Sequence, residues 1–402
     1  MNAVASPETD NQTARVPALP PIPRRRYTDP EFFKAEINHV FRKSWLIVGH
    51  ASEYPHVGSY ITHDVPWAPV VVIRGKDNVL RAFLNSCSHR GAPVVREVEG
   101  QTRMMVCKYH AWSFDLEGKL VSVPQKADFC GLDTNDYPLR QIRCEQWGGL
   151  VFINFDNDAM PLSEWVKPFG DRYDFIVNAP LRNVNKRSYI INCNWKIAVE
   201  AFVETYHVPV IHKETAAMVI ASHDTWLELY PHGHGLLAPP YREDVLQSSE
   251  WKGTALRSSL EVLDGFENEF QTHVMTPGLF PGTFLSFERA GFPMVTKWPI
   301  GVDKTRIDLY WYGKDWGADN EMPAEWHERV AAFHMLMLED IDNLEPMQRS
   351  IEADPDRSVP LCGQEQRLWH MSAQIDRMIG PENIDPALRM PQLDLLDPYI
   401  RG

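Results

Sequence analysis

The hydrophobic pattern changes period along the chain. Thr28 or Asp29 before Pro30 and Glu31 reads as a helix start, and Phe32, Phe33, Ile37, Val40 and Phe41 form an apolar stripe ending near Trp45. From about residue 46 to 156 the pattern is β-like: short Val/Ile-rich runs broken by Gly, Pro and Asp, closing on Gly148-Gly149-Leu-Val-Phe-Ile-Asn154. Two hairpins are expected there, one around the Gly-Lys-Asp-Asn turn between Pro69 and Leu84, the other with its turn at Glu117-Gly118. Past Pro161 helices are predicted over 165–177 and 195–206, several strands over 283–311, and a long helix over 323–351 kinked at Pro346. The closing stretch, with Pro360, Pro381, Pro386, Pro391 and Pro398, is expected to wrap a surface. These patterns predict an arm (1–26), a helix (27–45), a small antiparallel β domain (46–156) and an α+β domain (157–402).

Composition narrows the function. At 402 residues and 44% hydrophobic the chain is long enough for two or three cored domains. Its 54 acidic against 40 basic residues give a net charge of -14, which repels nucleic acid and anionic membranes. No apolar run is long enough to span a bilayer, and the segment 1–23 lacks the apolar core of a secretory signal, so a cytoplasmic protein is expected. Arg24-Arg25-Arg26 reads as part of a flexible arm, solvated or contacting another subunit. The six cysteines argue for metal ligation and core thiols rather than a disulfide frame.

Two of those cysteines belong to the most informative motif. Cys87-Ser88-His89 and Cys107-Lys108-Tyr109-His110 deliver two thiols and two imidazoles from two short loops, each next to strand-like sequence. Four such ligands can bind one structural zinc, or can divide between two irons as in a Rieske [2Fe-2S] centre. The C-x-H pair is tighter than the usual zinc spacing, which favours iron. Gly91, just after the first pair, is expected to let backbone approach the cluster.

A second set lies downstream. Glu200, Glu204 and His207 fall at i, i+4 and i+7, within about 60° of one another on a helix. Pro209 is expected to stop that helix, allowing His212 to turn back toward His207, since on an unbroken helix the pair would point about 140° apart. Phe333, Leu336, Met337, Leu344 and Met347 form the apolar stripe of the long helix, and Asp340 sits within it while Glu339, Asp342 and Glu345 point elsewhere. An unpaired carboxylate on an apolar face is costly unless it ligates or is hydrogen-bonded. His207, His212 and Asp340 would make a 2-His-1-carboxylate triad for Fe(II), with positions open for O2. Satisfied core histidines and an ion-paired Asp340 are the plainer alternative.

Taken together, Tyr27-Thr28-Asp29-Pro30, Cys-Ser-His-Arg-Gly, Cys-Lys-Tyr-His-Ala-Trp, Asn194-Trp195-Lys196, Glu200-x3-Glu204-x2-His207-x4-His212 and Glu339-Asp340-x4-Glu345-x2-Gln348 resemble the α subunit of Rieske non-haem iron oxygenases, the terminal component of aromatic-ring-hydroxylating systems. The resemblance implies an N-terminal Rieske domain holding its cluster on Cys87, His89, Cys107 and His110, and a helix-grip catalytic domain holding Fe(II) on His207, His212 and Asp340. It implies an NAD(P)H-dependent reductase, with or without a ferredoxin, as electron donor, and a head-to-tail homotrimer, with or without β subunits. Glu204, where many members have Asp, would link His207 to His110 of the partner subunit.

The substrate is less legible. Phe202, Tyr206, Trp226, Phe280, Phe284, Phe287, Phe292 and Trp298 supply aromatic surface suited to an aromatic compound, or to a quaternary ammonium by cation-π attraction, and Arg289 could hold a carboxylate. Three function classes follow: an oxygenase that hydroxylates or cis-dihydroxylates an aromatic compound, a monooxygenase or demethylase of a methylated or quaternary ammonium substrate, and a Rieske electron carrier without oxygenase activity.

Overall fold

The computed structural model describes residues 18–247, 260–266, 268–317 and 320–393. Residues 1–17 of the expected arm, and Pro398, lie outside them.

Two seven-stranded antiparallel sheets dominate. The first contains β1 (Leu46–His50), β2 (Ser59–Val65), β3 (Ala68–Arg74), β4 (Leu80–Leu84), β5 (Glu99–Gln101), β9 (Gln141–Trp147) and β10 (Leu150–Asn154), in the order β1-β10-β9-β4-β3-β2-β5. A three-stranded sheet of β6 (Met105–Val106), β7 (Ser113–Phe114) and β8 (Leu120–Ser122) stands beside it. β3 and β4 form the hairpin expected from the Gly-Lys-Asp-Asn turn, with Val72 opposite Ala82. Val71, Ile73, Phe83, Cys87, Cys107, Trp112 and Phe114 share one apolar core between these sheets.

The second large sheet is built from β11 (Leu181–Ile191), β12 (Trp226–Leu229), β13 (Gly235–Ala238), β14 (Thr276–Leu279), β15 (Thr283–Leu285), β16 (Gly291–Gly301) and β17 (Lys304–Lys314), ordered β11-β17-β16-β15-β14-β13-β12. One face grips a long helix spanning Glu325–Ala353, which runs unbroken through Pro346. Its buried residues are Trp326 in the first turn and then Met337, Asp340, Leu344, Gln348 and Ile351, the last five at helical spacing. Met347, expected in the buried stripe, is instead 46% exposed. The fold is therefore α+β, as the pattern predicted.

The first helical segment is α1 (Pro30–Ala35), capped by the Asp29 carboxylate, which accepts the Phe32 N–H at 2.8 Å. It passes into a wider turn at Glu36–Val40, and the irregularity has a purpose in packing. Glu36 is fully buried and accepts Lys196 Nζ at 2.7 Å and Trp195 Nε1 at 3.0 Å. Those two residues open α3 (Trp195–Glu200), the next helix after α2 (Lys167–Val177). Asn194 caps α3 through the Lys196 N–H, while its own N–H donates to Gln348 of the long helix, so α1, α3 and the long helix are locked together.

The described part of the arm is pinned rather than flexible. Ile22–Pro23 pairs with Ser358–Val359, and the fully buried Arg26 donates to Asp376 Oδ1, Leu388 O and Ser372 O. A buried guanidinium is tolerable only with such acceptors, and removing one partner of such a pair costs about 3–5 kcal/mol. Asp376 lies on the helix Gln366–Ile379, against which Ile384, Leu388 and Met390 pack as the described end of the Pro-rich stretch.

Candidate functional site

The two cysteine loops repeat one turn. Cys87 O accepts the Gly91 N–H at 2.8 Å and Cys107 O accepts the Ala111 N–H at 2.9 Å, and both donors of that turn, Gly91 and Ala111, sit left-handed, at φ +77° and +57°. A Cβ on Gly91 would meet no protein atom nearer than Ser86 Oγ at 3.7 Å, so within the chain itself the glycine answers to backbone conformation. Cys87 and Cys107 are buried at 3% and 2% exposure, whereas His110 is exposed and His89 partly so. The thiols face the core and the imidazoles face out, with ring centroids 4.8 Å apart. That segregation fits a cluster with sulfur ligands on one iron and nitrogen ligands on the other. His89 stacks on the buried Trp112 at 4.7 Å and 10°, which fixes its ring plane. Burial pushes the Cys87 thiol up, and the neighbouring Cys107 adds to it.

The downstream set is assembled differently from the expectation. α3 stops at Glu200, and Glu200, Glu204 and His207 do not share a helix. Glu200 turns away and accepts the Tyr27 hydroxyl at 2.8 Å, with burial pushing its carboxyl up to about 8. Pro209 does not end a helix. It sits in the first turn of a one-turn helix, α4 (Val208–Ile211), where its missing N–H has no partner to lose. His207 and His212 flank this turn as its N-cap and C-cap, which brings their ring centroids to 5.1 Å.

The long helix, α5 (Glu325–Ala353), adds Asp340. Its Oδ1 lies 3.0 Å from His212 Nε2 and 3.6 Å from His207 Nε2, and the three ligating atoms fall within 4.8 Å of one another. Among the described residues this is the one compact group of His, Cys and acidic side chains of single-ion size. Each outer nitrogen meets a second carboxylate: His207 Nδ1 bonds Glu204 Oε1, and His212 Nδ1 lies 2.7 Å from Glu339 Oε2. Glu204 Oε2 accepts the His207 N–H at 3.2 Å, and Thr215 Oγ1 donates to Glu339 Oε2 at 2.6 Å. Such a set turns both Nε2 atoms to one point and suits a divalent metal with His and carboxylate ligands. Burial works to lower the His212 pKa, yet its bonds to Asp340 and Glu339 outweigh this and raise it. Glu339, which the periodicity placed elsewhere, is the carboxylate sequence reasoning missed; its partners Thr215 and His212 arrive from a loop that no pattern along the chain locates.

The triad lies on the wall of a cavity of about 930 Å³. Phe202 and Phe284 line it as expected, joined by Trp311 and Phe333. Phe287 and Phe292 belong instead to the core cluster under α2, Trp298 packs beside Trp67, and Tyr206 is 60% exposed. Arg289 is not on the cavity wall; Arg329 is, donating to Glu288 at 2.8 Å and Glu325 at 3.0 Å.

Comparison with known proteins agrees with this geometry. The Rieske [2Fe-2S] domain family matches residues 44–141, and the ring hydroxylating alpha subunit (catalytic domain) family matches residues 179–381. The α subunit of 2-aminobenzenesulfonate 2,3-dioxygenase from Alcaligenes sp. is 32% identical over 293 residues, 71% of this chain and 72% of that one. The biphenyl 2,3-dioxygenase α subunit of Rhodococcus jostii (strain RHA1) is 35% identical over 189 residues, 46% of this chain but 41% of its own length. Among solved structures, a quaternary ammonium Rieske monooxygenase in complex with L-carnitine superposes with a TM-score of 0.75 at 21% identity, covering 91% of this chain and 97% of that one. Naphthalene 1,2-dioxygenase from Rhodococcus sp. superposes with 0.74 at 19% identity, covering 90% and 95%; at such identities the likeness is one of fold. The chain belongs to the Rieske non-haem iron ring-hydroxylating oxygenases as an α subunit, an oxidoreductase with a Rieske [2Fe-2S] domain and a catalytic domain. It is a component of a multicomponent oxygenase, and no helix among the described residues is long and apolar enough to cross a membrane.

Proposed function

We propose that this chain is the terminal oxygenase that hydroxylates or cis-dihydroxylates an aromatic compound, with O2 as co-substrate and electrons from an NAD(P)H-dependent reductase directly or through a ferredoxin. Residues 46–156 are the cluster domain and 157–402 the catalytic domain. Cys87, His89, Cys107 and His110 hold the [2Fe-2S] cluster, and His207, His212 and Asp340 hold Fe(II). When bound, the two centres supply one-electron storage and the open ferrous positions needed to activate O2.

The observation that carries this reading is the convergence of His207 Nε2, His212 Nε2 and Asp340 Oδ1 at the wall of a largely aromatic and aliphatic cavity. The protein's own part is positional. Glu204 and Glu339 accept the Nδ1 protons of the two histidines, fixing both tautomers so that each Nε2 lone pair faces the metal. Phe202, Phe284, Trp311 and Phe333 exclude water and offer flat apolar contact to a ring. Glu204 also stands near the surface through its neighbour Tyr206, and His110 is exposed, so in a head-to-tail homotrimer Glu204 would join His207 to His110 of the partner subunit.

Metal analysis and product analysis test the reading together. The purified protein should carry about three irons per chain, two in the cluster and one apart. A panel of aromatic acids, hydrocarbons and methylated amines, supplied with reductase and O2, should yield an oxygenated aromatic product. Iron at about two per chain with no oxygen uptake would leave an electron carrier instead.

A further inference from the structure

Lys297 lies on β16, where Val295 and Lys297 pair with Leu309 and Ile307 of β17. All three of those aliphatic neighbours are fully buried core residues, in one cluster with Phe202, Trp311 and Met337 of α5. In this setting Lys297 is 3% exposed, and its Nζ has no hydrogen-bond partner. What it does have is aromatic faces: Nζ stands 3.9 Å from the Phe202 centroid and 5.6 Å from that of Phe284. Both rings line the cavity that holds the iron triad. Burial pulls its pKa well below the usual lysine range, with Asp340 working the other way. An ammonium group buried without an acceptor is costly, and a methionine or leucine would fill the same space without that cost.

The basic groups on the cavity wall itself are already matched. Arg329 is tied to Glu288 and Glu325, His207 to Glu204, and His212 to Glu339. Lys297 is not itself on the cavity wall; its Nζ stands against Phe202 and Phe284, which are, without a hydrogen-bond acceptor for any of its three donors.

We propose that Lys297 is a specificity-determining residue that anchors an anionic substituent, a carboxylate or sulfonate, on the aromatic substrate. This rests on the oxygenase reading above and names the substrate class of that site. The four-carbon stem can carry Nζ past the Phe202 ring to meet an oxygen at the cavity wall, with the aromatic ring of the substrate lying against Phe284 and Trp311. A charge-assisted bond formed away from water is the strong kind, and it would satisfy the Lys297 Nζ, which has no partner within the chain. A quaternary ammonium substrate fits the same wall poorly, because a lysine Nζ already stands 3.9 Å from the Phe202 centroid and like charges repel.

Binding to the iron-loaded holoenzyme, followed by calorimetry, tests this with benzoate, 1-naphthoate and benzenesulfonate against benzamide and phenyltrimethylammonium. The wild type should bind at least one of the anions about tenfold or more tighter than benzamide, and Lys297→Met should lose that preference while Lys297→Arg keeps part of it. Lys297→Met should melt no lower than the wild type, since it removes a buried group without an acceptor; thermal melts of each variant establish that the loss is not unfolding. A preference that survives in Lys297→Met, tighter binding of phenyltrimethylammonium, or no binding of any of the three anions at millimolar concentration would overturn the assignment. Because the readout is binding, none of these results touches the oxygenase reading, which stands or falls on the iron count and oxygen uptake.

Discussion

Cys87, His89, Cys107 and His110 hang from two loops that repeat one turn, each closed by a bond from the residue four positions on. His207, His212 and Asp340 meet only because α5 crosses the sheet beside the segment that follows α3. The first set is made by short-range backbone geometry on hairpins, the second by long-range packing: His212 and its carboxylate Glu339 are 127 residues apart. Local geometry tolerates change in the rest of the molecule, while a site made by packing inherits every shift of the helix that carries it.

Substitutions can break this contrast at several strengths. The largest effect is expected for Asp340→Ala, which should take turnover to background and lower iron by about one per chain, while the visible spectrum of the cluster stays intact. Cys107→Ala should do the reverse and bleach the spectrum. Loss of the spectrum in both variants would contradict two separate centres.

Removing a carboxylate behind a histidine should act more mildly. Glu339→Gln is expected to weaken ferrous binding about 10–100-fold, measured by competition with a chelator, with the cluster unaffected. Glu204→Gln should slow cluster oxidation in single turnover, because its carboxylate holds the His207 Nδ1; an unaltered rate would remove it from the electron path.

A pH series sharpens the comparison further. Glu200 sits beside Tyr27 with its carboxyl raised from 4.5 to about 8 by burial, against the pull of the Tyr27 hydroxyl and Lys196. The folded state therefore holds this proton more tightly than the unfolded chain. The stability it contributes is complete below pH 4.5 and is lost as pH rises toward about 8. Glu200→Gln should flatten the melting temperature across that window, and an unchanged slope would assign it to other groups.

The smallest effect belongs to the loops themselves. Gly91→Ala should lower stability to urea by about 1 kcal/mol, the cost of a Cβ in left-handed backbone, and Ala111→Gly should not lower it. Equal losses in both would mean the two loops are not equivalent.

Much of this was legible along the chain. The β3–β4 hairpin and the buried position of Asp340 follow from repeats of two and of about 3.6 residues, the Cys/His pairs stand out by their close spacing, and the meeting of His207, His212 and Asp340 was one of two readings the spacing allowed. The continuous helix through Glu200, Glu204 and His207 was misread for the same reason: their spacing satisfies a helix, but Glu200 is held by Tyr27 and the chain turns after it.

What the sequence determined alone was therefore the kind of chemistry: which side chains can ligate, and on which local turns they sit. Only the tertiary structure decided who faces whom. Glu339 turns toward His212 although its helical phase points away from Asp340, Arg26 buries its charge against Asp376, and Lys297 lies among aliphatic and aromatic neighbours without an acceptor. Periodicity encodes a residue's direction from its own backbone, but the partner it meets depends on elements brought together from distant parts of the chain, and no repeat in the sequence records that distance.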